Sequence, residues 1–104
     1  MSFTVEMAPT AEADLERLFD FLIDRAETSE ELDRAQAAID AIRTTAQHQL
    51  AITPYSFRKA AQNPAQRELI IPFERTGYVV LHEIVSTSTV VMLAVRHQLE
   101  EDYH

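Results

Sequence analysis

The sequence of 104 residues contains no cysteine and a single glycine, Gly77. Without cysteine the chain forms neither disulfides nor thiolate metal sites, which fits a reducing compartment. One glycine is too few for a glycine-rich loop that holds phosphates, which argues against a nucleotide-cofactor enzyme. No signal peptide is recognisable, and no apolar run approaches the ~18 residues of a membrane span. We therefore expect a soluble, cytoplasmic protein without a membrane partner.

Residues that hold metals or act as nucleophiles are also sparse. The four histidines show no i,i+4 pair and no carboxylate at a known metal spacing. No serine lies in a strand-to-helix elbow, and no cysteine nucleophile exists. The sequence therefore predicts no metal, no cofactor and no acyl-transfer chemistry.

The composition that remains is that of an ordinary globular protein, with 46% hydrophobic and 25% charged residues. At this length the chain predicts one domain over residues 1–104. Its net charge of −8 is uneven, because residues 1–50 carry 11 Asp and Glu against 4 Arg, whereas residues 51–104 carry 6 acids against 5 Arg and Lys. Binding of nucleic acid through bulk charge is not expected, so any such contact must be local to the C-terminal half.

Hydrophobic periodicity predicts a strand followed by two helices. Alternating apolar residues indicate a strand over roughly residues 2–7, which Pro9 stops. An amphipathic helix follows from Thr10, a plausible N-cap, to about Ala26. A capping box at Thr28–Glu31 begins a second helix of about twenty residues, since apolar residues continue at helical spacing to Leu50. The short join between the helices requires an antiparallel hairpin.

Three β-rich runs make up the C-terminal part, over residues 67–73, 78–85 and 89–97. Short connectors separate them, which is typical of antiparallel hairpins and predicts a meander. The polar connector 55–65 has no predictable conformation. The sequence thus predicts an α+β fold with a strand, an antiparallel two-helix hairpin and a three-stranded antiparallel meander, the helices being packed on one face of the sheet.

The side chains that could carry chemistry are cationic or proton-transferring and lie in the C-terminal half: Arg58, Lys59, Arg67, Arg75, Arg96, His97 and Tyr103. Metal-free RNA cleavage needs a base, an acid and cations around the phosphate, and this set is chemically sufficient. The alternative interpretation gives these residues no catalytic role: the charged residues lie where strands end at the solvent, and the tyrosine packs with its hydroxyl solvated.

Arg96 and His97 are adjacent, so in an unbroken strand they point to opposite faces of the sheet. On this pattern His97 shares a face with Val91 and Val95, and Arg96 shares the other face with Met92. At most one of the two side chains can therefore face the helix hairpin.

The order of elements and four segments together resemble the RelE/ParE toxin superfamily of type II toxin–antitoxin systems. The resemblance rests on Ala8–Leu15, on Pro54 followed by Arg58, on Arg67–Ile70 with Gly77–Leu81, and on Val91–Gln98 with Glu100–Tyr103. It spans nearly the whole chain. The Arg-Glu-Leu-Ile segment and the Arg-His-Gln ending resemble the ParE-like branch.

The resemblance implies one of two activities. ParE-like members are toxins that poison DNA gyrase, whereas RelE-like members cut mRNA on the ribosome. The negative charge of this chain is a poor match to ribosomal RNA, which favours a non-enzymatic gyrase inhibitor. The RelE-like alternative would use Arg67, Arg96, His97 and Tyr103 as the catalytic residues of a metal-free endoribonuclease.

The resemblance also implies a cognate antitoxin as partner, with gyrase as target. Contacts to target or partner would come from Arg58, Arg67, Arg96, His97 and Tyr103. A sheet edge or the exposed side of the helix hairpin would receive the antitoxin. One departure stands out, because the ParE-like pattern supplies an arginine where this sequence has Leu99. That departure raises a third hypothesis, a degenerate member that only binds its antitoxin.

Overall fold

The structure, a computed structural model, describes residues 2–60 and 63–100 and contains five strands and two helices. The strands are β1 (Thr4–Met7), β2 (Arg58–Lys59), β3 (Gln66–Phe73), β4 (Thr76–Ile84) and β5 (Thr89–His97). The helices are α1 (Pro9–Arg25) and α2 (Ser29–Ile52), and a single 3-10 turn at Pro54–Ser56 follows α2. None of the helices in these ranges is long and apolar enough to span a membrane.

The strands form one sheet in the order β1-β5-β4-β3-β2. β1 lies parallel to β5, and the other pairs are antiparallel. This arrangement confirms the predicted strand, helix hairpin and meander. The two-residue strand β2 was not predicted, because it lies in a connector whose sequence has no alternating pattern.

The helix starts follow local capping chemistry. Thr10 was predicted as the N-cap of α1, and this was wrong: Ala8 is the N-cap and Pro9 takes the first helical position, where its missing N–H costs no hydrogen bond. The N-cap of α2 was predicted correctly, since the Thr28 hydroxyl accepts from the N–H of Glu31 at 3.1 Å. The Glu31 carboxylate accepts from the N–H of Glu27 at 2.9 Å instead of from Thr28.

The core lies between the helix hairpin and one face of the sheet. Its fully buried side chains include Leu15, Ile42, Leu50, Leu69 and Val80. These residues come from both helices and from strands β3 and β4, so the core joins the helix hairpin to the sheet.

A bulge interrupts the pairing of β4 with β5. Leu81 pairs with Ala94 and His82 pairs with Met92, which leaves Leu93 as the extra residue. The unbroken alternation predicted for this strand is therefore wrong: Met92 and Val95 both face the core. Beyond the bulge, the side chains of neighbouring residues again lie on opposite faces of the sheet, as predicted.

Side chains of α1 cover the edge of β5 where β1 has ended. The Thr10 hydroxyl donates to the carbonyl of Leu93, and the Asp14 carboxylate accepts from the N–H of Val95 at 2.9 Å. Arg17 donates to the carbonyl of Val95 at 3.5 Å. The spacing of four and three residues places all three side chains on one helix face, where they replace a neighbouring strand.

Gly77 lies in β4 opposite Pro72, next to the β3–β4 turn. A Cβ at this position would lie 2.6 Å from the carbonyl oxygen of Ile71, so no larger residue fits without backbone movement. The Gly77 carbonyl accepts from the N–H of Gln98 at 2.9 Å. This bond holds the chain that leaves β5 against the start of β4.

Candidate functional site

Arg58 and Arg96 lie on the sheet face opposite the helices and share one carboxylate. The Arg58 Nε lies 2.9 Å from the Glu68 carboxylate, and an Arg96 Nη lies 3.8 Å from the same group. Arg96 also donates to the carbonyl of Glu100 at 2.6 Å. Both predicted cations are therefore engaged within the chain, and each would have to exchange a partner to bind a phosphate.

Arg67 lies on the helix side of the sheet, directly opposite His82 on β4. Its Nη1 donates to the carbonyl of Phe57 at 3.4 Å, and its buried Nε has no hydrogen-bond partner among the described residues. The neighbouring Lys59 pairs with Arg67 across β2 and β3. Two like charges thus stand opposite each other at this end of the sheet.

The His97 side chain lies on the face of the sheet that the helices cover, and the Arg96 side chain lies on the opposite face. This agrees with the prediction that the two neighbouring side chains point to opposite faces. The His97 Nδ1 accepts a hydrogen bond from the N–H of Leu99 at 3.1 Å, so in the neutral ring the proton lies on Nε2. The His97 Nε2 lies 3.1 Å from the Thr76 hydroxyl. The ring packs edge-on against Tyr78, with centroids 5.5 Å apart. Burial raises the pKa of Tyr78, and Glu74 adds to the effect, so this phenol stays protonated at neutral pH.

The four residues predicted as the catalytic residues of a nuclease are not brought together in the part of the chain that the structure describes. Arg67 and His97 pair with positions four residues apart on β4, which corresponds to ~13 Å of strand. Arg96 occupies the opposite face of the sheet, and Tyr103 lies outside the described residues. Within residues 2–60 and 63–100, no group of three or more His, Asp or Glu is placed to hold a metal ion.

His82 is a buried polar residue that sequence reasoning did not assign to a site. It has no exposed surface, and its Nε2 donates to the carbonyl of Pro54 at 3.2 Å. Burial lowers the pKa of His82; hydrogen bonding to the Pro54 and Val80 carbonyls opposes this in part, and the nearby charge of Arg67 adds a smaller lowering. His82 is therefore neutral at pH 7 and fixes the turn after α2 to the sheet.

A groove of about 670 Å³ opens between the C-terminal half of α1, the N-terminal half of α2 and the β3–β4 turn. Its lining is mainly apolar and includes Leu18, Phe21, Leu22, Ala38, Phe73 and Leu99. The periodicity of the helices indicated an apolar side, but the sequence did not show that α1 and α2 leave this end uncovered. Grooves of this size and character bind apolar partners.

Ion pairs line the rim of the groove. Arg17 lies 3.1 Å from the Glu100 carboxylate, and Arg34 lies 3.8 Å from that of Glu74. The guanidinium of Arg25 lies 3.9 Å above the ring of Phe21 instead. Arg25 has no ion pair with any residue in the described ranges.

Comparison with known proteins places this architecture in a family. The chain is 36% identical over 97 residues to a protein named Toxin RelE3 from Caulobacter vibrioides, covering 93% of this chain and 96% of the relative. A solved structure described as the chromosomal ParDE TA system from P. aeruginosa has the same fold, with a TM-score of 0.70 at 15% identity over 91% of this chain and 95% of the other. The family model described as the ParE toxin of type II toxin-antitoxin system, parDE, matches residues 5–102. Because that match covers almost the whole chain, the protein belongs to the ParE toxin family and is a toxin of a type II toxin–antitoxin system.

Proposed function

We propose that this toxin inhibits DNA gyrase by binding to it and does so without catalysis. The observation that carries the proposal is the dispersal of Arg67, Arg96 and His97 over both faces of the sheet. RNA cleavage requires a base, an acid and a cation around one phosphate, and such a set must converge. A binding surface has no such requirement.

Family membership and charge support the same proposal. The ParE-like branch, which the sequence resembles, acts on gyrase, and a chain of net charge −8 is poorly suited to docking on ribosomal RNA. Gyrase acts in the cytoplasm, and we propose that location for the toxin as well. No metal or cofactor enters the proposed activity.

Neutralisation by a cognate antitoxin is the second part of the proposal. Membership of the family implies such a partner. Two surfaces suit it: the apolar groove between α1 and α2, and the outer edge of β1, which has no neighbouring strand in the described sheet. An antitoxin segment that folds on binding must bury enough apolar surface to offset its ordering cost, and the groove supplies that surface.

Controlled expression in a bacterial host tests the proposal. We expect growth arrest with induction of the DNA-damage response, and relief of both when the protein from the adjacent reading frame is co-expressed. A Gly77→Arg chain, in which the new side chain cannot fit against the Ile71 carbonyl, serves as the inactive control. Harmless expression of the wild-type chain without antitoxin would instead support a degenerate member that only binds its partner.

The alternative activity is a ribosome-dependent mRNA endoribonuclease. The curated relative is named RelE3, and Arg67 and His97 do share the helix side of the sheet. This alternative predicts cleaved mRNA in a translating extract and loss of cleavage in His97→Ala or Tyr103→Phe. Intact transcripts in an extract that contains the wild-type toxin would exclude it.

A further inference from the structure

We propose that the toxin contacts gyrase through the tip of the β3–β4 hairpin, where Arg75 pairs with a carboxylate of gyrase and Ile70 and Pro72 pack beside it. Together these three residues form the tip surface. The proposal rests on the gyrase inhibition proposed above and names the contact responsible for it. Three features support it, namely the charge of Arg75, the backbone of the turn and the exposed apolar side chains next to the turn.

Arg75 is an exposed cation that its own chain does not neutralise. Its guanidinium has no ion pair with any residue in the ranges 2–60 and 63–100. The neighbouring acid is already engaged, because the Glu74 carboxylate lies 3.8 Å from the Nε of Arg34 on α2. In a protein of net charge −8, such a cation matches a carboxylate on another protein, and charge-assisted pairs of this kind give an interface its specificity.

The backbone of the turn is strained at a residue that is not glycine. Phe73 pairs with Thr76, so the loop between the strands consists of Glu74 and Arg75 alone. Glu74 has a φ of 54°, in the left-handed region, where the first residue of a two-residue hairpin loop is commonly glycine. Strain of this kind persists at binding sites, where the surrounding structure holds the backbone in place. Here it lies next to Arg75, at the outermost point of the hairpin.

Three contacts hold the turn in one position. Glu74 is paired with Arg34 on α2, the Thr76 hydroxyl lies 3.1 Å from His97 Nε2, and the Gly77 carbonyl accepts from the N–H of Gln98 at 2.9 Å. The first contact ties the turn to a helix, and the other two tie it to the end of β5 and the segment that follows. A side chain on a fixed backbone loses less conformational freedom on binding, which favours Arg75 as a contact residue.

Ile70 and Pro72 add apolar surface on the strand that leads to the turn. Ile70 is 41% exposed and Pro72 is exposed as well. Both lie on the face of the sheet opposite the helices, because Leu69 and Ile71 face the core. Pro72 has no N–H to offer to an incoming strand, so a partner meets this part of β3 through side chains. Apolar side chains beside an arginine are typical of protein interfaces.

The same features favour a protein carboxylate over the phosphates of DNA bound to gyrase. Binding to the phosphate backbone needs several cations aligned with it, and the tip surface has one. A single planar guanidinium instead suits one carboxylate, which it can bind through two parallel hydrogen bonds.

The test measures the toxin concentration that half-inhibits supercoiling by purified gyrase. We expect this concentration to rise about tenfold or more for Arg75→Ala and about threefold or more for Ile70→Ala. Arg43→Ala is the matched control, since it removes the same charge from α2 nine residues beyond Arg34, which is ~13 Å along the helix. Arg43 has only a surface ion pair with Glu12, so this variant should stay within about twofold of wild type.

A second measurement identifies the group that Arg75 binds. In titrations of gyrase without DNA, Arg75→Ala should bind about tenfold more weakly than wild type, and its affinity should depend less on salt. If the loss appears only when DNA is present, Arg75 contacts phosphate and the inference is wrong. Thermal unfolding of each variant checks that the fold is retained.

The failures of the two proposals are distinguishable. If the wild-type toxin inhibits gyrase and Arg75→Ala inhibits as well as Arg43→Ala does, the tip surface is not the contact, while the proposed function stands. If the wild-type toxin leaves supercoiling unchanged, the proposed function fails, and the inference with it.

Discussion

Asp14 is a buried carboxylate whose role is structural. It is 5% exposed, accepts from the Val95 N–H at 2.9 Å and lies 3.9 Å from Arg17. The bond replaces a strand neighbour that β5 lacks beyond its bulge. In the sequence Asp14 appeared as one acid among many on an acidic helix, because nothing local distinguishes it from its exposed neighbours.

Replacement of Asp14 should therefore destabilise the fold. We expect Asp14→Ala to lower the free energy of unfolding by about 1–3 kcal/mol, because the buried N–H of Val95 loses its acceptor. Asp14→Asn retains an amide oxygen and should lose less. Asp20→Ala on the exposed side of α1 is the control, with a change within about 0.5 kcal/mol. Equal urea midpoints for Asp14→Ala and Asp20→Ala would contradict this role.

His82 makes stability depend on pH. Burial lowers its pKa from the ordinary value of 6.5, so below that pH the unfolded chain binds a proton that the folded chain does not. The contribution of His82 to stability is thus fully present above pH 6.5 and is lost as the pH falls from there toward its folded pKa. We expect the free energy of unfolding to fall less between pH 6.5 and pH 5.5 in His82→Gln than in wild type. Identical slopes in urea titrations over that interval would contradict it.

At the scale of elements, α2 depends on its N-cap. Thr28 satisfies the N–H of Glu31, one of the donors that a helix start leaves without a partner. Thr28→Ala should cost about 1 kcal/mol of stability. Thr44→Ala, at an exposed position inside the same helix, is the matched control and should cost nothing, because alanine has the higher helix propensity. Chemical denaturation of the two variants distinguishes capping from a general effect of removing a threonine.

Elements with long, regular patterns were predictable. Both helices and the three C-terminal strands have enough residues for their periodicity to be read, and the capping box marks the start of α2. Strand β2 has two residues, too few for any pattern, and it exists because β3 offers it an edge. The bulge at Leu93 was not predictable either, because it arises from the pairing of two strands and leaves no local signal in the sequence.

The candidate site could not be interpreted from the sequence alone, because it depends on the three-dimensional fold. The sequence predicted that Arg96 and His97 face opposite sides, which the pairing confirms, but it could not show that Glu68 lies between Arg58 and Arg96. It also treated Leu99 as a departure from the family pattern, whereas the fold places this side chain on the rim of an apolar groove. Both facts depend on contacts between residues far apart in the chain, which no local pattern encodes.

At the scale of the whole molecule, Arg67, Arg96 and His97 are dispersed over both faces of the sheet, which supports the proposal that the toxin acts by binding. The most direct test is a supercoiling assay with purified gyrase, relaxed plasmid and the full-length toxin. Micromolar toxin should block ATP-dependent supercoiling, and a stoichiometric amount of the antitoxin added beforehand should restore it. Undiminished supercoiling at a toxin concentration that arrests growth in cells would contradict the account.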